Sequence, residues 1–122
     1  MKKENIIVKK SYEFAIRIIK LYKFLVEEKK EFVISKQILR SGTSIGANVN
    51  EAQSAESKMD FVHKLAISAK EARETEYWLN LLKDTDFIDN KSYDSIIKDC
   101  SEILAIINSI ILTSKEKTNE RK

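Results

Sequence analysis

Between Ile7 and Leu25, apolar or small residues recur in alternating steps of four and three: Ile7, Ser11, Phe14, Ile18, Leu21 and Leu25. A helix of 3.6 residues per turn gathers such a set onto one face, whereas a strand scatters it over both. The pattern returns in three further stretches, so the chain is constrained to pack helix against helix. The turn formers agree. The 122 residues include two glycines and no proline, which leaves the tight turns of a sandwich or barrel little to build with.

The spacing predicts a first helix over residues 5–29. Beside its main stripe runs a second one, Val8, Tyr12, Ala15, Ile19, Tyr22 and Val26. Together they cover about half the circumference, wider than a two-stranded seam needs. Such a helix touches two neighbours in a bundle, or one neighbour and another subunit. Its opposite face carries Lys9, Lys10, Glu13, Arg17, Lys20 and Lys23, interrupted by Ile16 and Phe24. A second helix is predicted over 32–55, with a thinner stripe of Ile34, Ile38, Ile45, Val49 and Ala52. Ser57-Lys-Met-Asp60 resembles a capping box and opens a third helix over 58–83, lined by Phe61, Leu65, Ser68, Ala72, Thr75, Leu79 and Leu82. After the loop 84–90, where Asp89 or Asn90 can cap, a fourth helix is predicted over 91–114. Tyr93, Ile97, Cys100, Leu104, Ile107 and Ile111 form its stripe, widened by Ile96, Ile103 and Ile110. The polar tail 115–122 is expected to fray. Four helices with short joins make one domain over 1–122, an all-α antiparallel up-down four-helix bundle.

Hydrophobic residues at 43% and charged residues at 34% exclude a disordered chain. A single cysteine cannot close an internal disulfide and suits a reducing compartment. No apolar run reaches the length of a membrane span, and the opening residues lack the unbroken apolar stretch of a signal peptide. The expectation is a soluble cytoplasmic domain with no membrane partner. The net charge of +3 does not by itself imply nucleic acid, but its distribution is uneven. Residues 1–30 hold nine Lys/Arg against four Glu, and the remainder of the chain is close to balanced. Lys9, Lys10, Arg17, Lys20 and Lys23 therefore read as a surface for an anionic partner. A merely solvated helix face explains them equally at this level.

Catalytic chemistry finds little to work with. A di-iron bundle site needs two Glu-x-x-His pairs, and the one histidine, His63, is preceded at that spacing by Asp60. Lys58 stands five residues before His63 where a helical nuclease would place arginine, and lysine lacks the planar fork for phosphate. Cys100 falls on an apolar stripe without a histidine at helical spacing, which suits a structural thiol. No catalytic residue, metal or cofactor is expected. The stretch RSGTSIGAN around Gly42 and Gly46 admits a phosphate-cradling loop or a helix kept thin for close packing. The second fits better, since no Lys-Ser/Thr follows and no strand precedes. Arg40, Ser44, Asn48 and Glu51 share one edge of the second helix, and Lys64, Ser68, Glu71 and Thr75 form a comparable line on the third. These read as a ligand groove or as a polar network between helices or subunits. Glu51 and Glu71 would repel a phosphate backbone, which favours the network.

The run from Ser35 to Thr85, with its Arg-Ser step, Ser-Ile-Gly-Ala-Asn stretch, Glu51 and Glu-Tyr-Trp-Leu, resembles the four-helix-bundle family encoded in intervening sequences of bacterial 23S ribosomal RNA genes. It is similar also to the accessory variability determinants of diversity-generating retroelements. SYEFAIRIIKLY matches the opening helix, so the likeness extends over about Ile6 to Ser114. The resemblance implies a barrel-like homopentamer with a positive surface and no catalytic motif. For retroelement members it implies binding of RNA or DNA and docking onto a reverse transcriptase.

Overall fold

A computed structural model describes residues 3–120 as four helices: α1 (Lys3–Glu27), α2 (Ile34–Ala52), α3 (Lys58–Asp84) and α4 (Asn90–Glu120). No strand occurs among the described residues. Each helix packs against its two neighbours in a closed square, α1 on α2 and α4, α3 on α2 and α4. Pairings across the seams show every neighbour to be antiparallel. Gly42 and Gly46 of α2 lie against Ile18 and Ser11 of α1, and Ser41 and Ile45 of α2 meet Thr75 and Ser68 of α3. Ala72 and Asn80 of α3 meet Cys100 and Tyr93 of α4, and Arg17 and Lys10 of α1 reach Asp99 and Glu102 of α4. This is an up-down four-helix bundle.

The helix ends differ from the expected bounds for local reasons. α1 stops at Glu27, not 29, because Lys30 turns left-handed at φ 55° and the Glu31 amide donates to the Leu25 carbonyl. α2 begins at Ile34, not 32, where the Glu31 carboxylate accepts from the amides of Val33, Ile34 and Ser35 at 3.2, 3.0 and 2.6 Å. It ends at Ala52, not 55, in a turn in which Gln53 and Ser54 donate to Asn50 and Glu51. α3 starts as expected, with the Ser57 hydroxyl accepting from the Asp60 amide at 3.0 Å. It closes in a Schellman motif, Phe87 donating to Leu82 and Asp86 to Lys83, with Asp86 left-handed at φ 65°. The tail is a correction. α4 runs on through 115–120, since no breaker follows Ser114 and Lys117 complements the helix dipole in the last turn. Arg121 and Lys122 lie outside the described residues.

The core is the sum of the four stripes. Ile7, Phe14, Ile18 and Leu25 of α1 meet Ile38, Ile45 and Val49 of α2, Leu65, Ala72, Leu79 and Leu82 of α3, and Cys100, Ile103 and Ile107 of α4. On α4 the buried line is centred on Ile96, Cys100, Ile103, Ile107 and Ile110, while Ile97, Leu104 and Ile111 are only partly covered. The stripe is thus turned toward the row that the spacing treats as its margin. RSGTSIGAN is helical throughout. A Cβ on Gly42 would stand 2.6 Å from Ile18 Cγ1, and one on Gly46 would stand 3.1 Å from the Ser11 carbonyl oxygen. Glycine is what lets α2 approach α1 this closely.

Candidate nucleic-acid interface

The five basic residues of α1 divide into two groups. Lys10 and Arg17 lean toward α4. Lys10 Nζ lies 3.5 Å from Glu102, while Arg17 sits 2.6 Å from Asp99 and donates to the Ser95 hydroxyl at 3.0 Å. These pairs clamp the seam where α1 meets α4, which is the thinnest contact of the bundle. Both are solvent-exposed, so each contributes at most about 1 kcal/mol. Lys9 stays on its own helix, 4.0 Å from Glu13. Lys20 and Lys23 are exposed and form no ion pair among the described residues. The partners Asp99, Ser95 and Glu102 are absent from the sequence reading, because a contact between residues some eighty positions apart leaves no local pattern.

Beside Lys20 the bundle surface opens. A groove of about 550 Å³ lies between the end of α1, the α3–α4 loop and the start of α4. Leu21, Phe24, Phe87, Ile88 and Ile96 supply its apolar lining; Arg17, Lys20 and Lys29 its cations; Asp86, Asp89 and Ser92 its opposite rim. Phe24 is 40% exposed, and Lys29 Nζ stands 5.8 Å from its ring centroid. The sequence shows Phe24 as an apolar interruption of the basic face. The fold makes it part of that face. Asp89 also caps α4. Its carboxylate accepts from the Ser92 amide at 2.7 Å, a bond that holds it below the usual carboxylate range.

On the other flank of α1, Tyr12, Ile16 and Ile19 are 69%, 40% and 41% exposed. Tyr12 and Ile16 border a second groove of about 540 Å³ over α2, floored by Val8, Ala15, Gly46 and Ala47. The wide apolar arc of α1 therefore finds only part of its cover within one chain.

The polar line resolves into separate contacts. Arg40 spans from α2 to Glu71 at 3.2 Å and to Glu74, whose carboxylate also accepts from the Trp78 indole at 3.1 Å. Lys64 meets Glu51 at 3.1 Å. Ser44 and Asn48 donate to the carbonyls of Arg40 and Ser44, one turn back on their own helix, and bond to no other helix among the described residues. The buried polar seam lies deeper: Ser41 and Thr75 hydroxyls hydrogen-bond at 2.9 Å, and Ser68 donates to the Ile45 carbonyl at 2.8 Å. Glu74 is the member sequence reasoning missed, although its place three residues after Glu71 puts it on the same face.

Cys100 is buried, its sulfur 3.5 Å from the Ala72 carbonyl oxygen, and burial pushes the thiol up to about 12. Such a thiol is no nucleophile at neutral pH. His63 is exposed on α3. Among the described residues no three of His, Cys, Asp and Glu cluster to hold a metal, and no helix is long and apolar enough to cross a membrane.

The family described as 23S rRNA-intervening sequence protein matches residues 3–109. A crystal structure of a protein of unknown function from the S23 ribosomal protein family of Bacteroides thetaiotaomicron is 59% identical, with a TM-score of 0.89. The likeness covers 90% of this chain and 98% of that one. No curated protein matches significantly.

Proposed function

Because the chain belongs to the 23S rRNA-intervening sequence protein family, we propose that it is a non-enzymatic, self-associating scaffold that binds RNA or DNA through the phosphate backbone. The observation that carries this reading is the pair Lys20 and Lys23, exposed on α1 with no carboxylate partner among the described residues. Ion pairing consumes Lys10 and Arg17, so the contact with phosphate falls chiefly to these two lysines. Lysines act as point charges, which attract any phosphate backbone and discriminate little between sequences.

Self-association multiplies that field. The exposed Tyr12, Ile16 and Ile19 beside an apolar groove favour an interface, since exposed apolar patches on small domains mark contact surfaces. The number five is what the family resemblance implies, and nothing in the single chain sets it. The same apolar patch supports a second reading, in which the oligomer docks onto a protein such as a reverse transcriptase and its charge serves solubility. Filter binding of RNA and DNA over a salt series separates the two. Backbone binding gives an affinity that falls linearly on logarithmic axes as salt rises. Absence of binding at low salt leaves the docking reading.

A further inference from the structure

The groove beside Phe24 has a polarity that backbone contact alone does not use. Its basic side holds Lys20 of α1, one helical turn before Phe24, and Lys29, which follows the end of α1 and whose mobile ammonium stands over the ring at 5.8 Å from its centroid. Its loop wall is acidic, with Asp86 and Asp89, and apolar side chains lie between. An occupant anionic throughout is repelled by the loop wall. A fatty acid can place its carboxylate on the lysines but sets an aliphatic chain against the two aspartates. An unpaired nucleotide matches all three parts. Its phosphate is anionic, its base is flat and apolar on its faces, and its edge carries N–H donors for carboxylates. The volume of about 550 Å³ lies within the range of small-ligand sites, about 300–1,000 Å³.

We infer that this groove takes one unstacked base of a single-stranded nucleic acid against Phe24, with the adjoining phosphate on Lys20 and Lys29. The inference rests on the nucleic-acid reading above and narrows its substrate to unpaired strands. A duplex keeps its bases stacked and inaccessible, so it engages the lysines alone. Lys23 does not line the groove and serves backbone attraction only.

The test compares a short RNA single strand carrying one 2-aminopurine with the matching duplex, at one fixed salt concentration. The wild-type chain is expected to bind the single strand more tightly and to raise 2-aminopurine emission on binding, because the base leaves the stack of neighbouring bases that quenches it. Phe24→Leu keeps apolar volume and removes the ring. It should lower single-strand affinity toward that of the duplex, a loss of roughly 5- to 100-fold, since stacking one base on an aromatic ring contributes on this scale. Equal affinity for both forms with unchanged emission overturns the groove assignment and leaves backbone binding standing. Failure of both forms to bind overturns both. The emission change is read on the wild-type chain, so the result does not depend on how the variant folds.

Discussion

At the residue scale, Gly42 and Glu31 do what no side-chain stripe can. A methyl group on Gly42 meets Ile18, which is branched at Cβ and fully buried, so it cannot swing away. Alanine gains about 1 kcal/mol in helix propensity, but overpacking a close-packed seam costs about 1–3 kcal/mol. Gly42→Ala should therefore lower stability in chemical denaturation, and a more stable variant would show that the α1–α2 approach has slack. Glu31 opens α2 without being one of the usual capping residues. Burial raises its pKa, but amide donation from Ser35, Ile34 and Val33 outweighs this and holds the carboxyl below its ordinary value. Because the folded pKa is the lower one, the stabilisation is complete above the unfolded value and fades as pH falls through the folded one. Glu31→Gln should be less stable than wild type at pH 7 by about 0.5–2 kcal/mol. The gap should close in acid, and a pH-independent difference would contradict the ionised cap.

At the scale of elements, truncating Leu65, buried on α3, should cost about 2–5 kcal/mol in denaturant unfolding. A loss under 1 kcal/mol would place α3 in a different register. The α3 stripe was legible because Leu65, Ser68, Ala72, Thr75, Leu79 and Leu82 all point inward, as their spacing requires. The α4 stripe was legible only as a band. Isoleucines occupy both of its rows, and periodicity cannot choose between two apolar rows without knowing where α3 and α1 lie. The basic face of α1 was legible as a charge pattern, but its division was not. Whether Arg17 faces solvent or Asp99 depends on the fold, and so does the gathering of Phe24, Lys29 and Phe87 around one groove. Glu31 escaped for a different reason: its contacts are local, but the residue type carries no capping signal.

At the scale of the whole molecule, the four-helix square closes the core but leaves one flank of α1 uncovered. Light scattering at micromolar concentration should return a multiple of 14.1 kDa, and about 70 kDa if the ring has five members. A monomer mass would show that Tyr12, Ile16 and Ile19 are not a self-interface. Association would also align the Lys20–Lys23 surfaces of several chains, giving a field far stronger than a net charge of +3 suggests. On the proposed function, this surface holds nucleic acid by its phosphates. The most direct measurement is the slope of log affinity against log salt for wild type and for a variant with Lys20 and Lys23 both changed to alanine. The variant should bind every RNA and DNA sequence more weakly and show a flatter slope, because fewer counterions are released. Equal affinity and an equal slope would contradict that function.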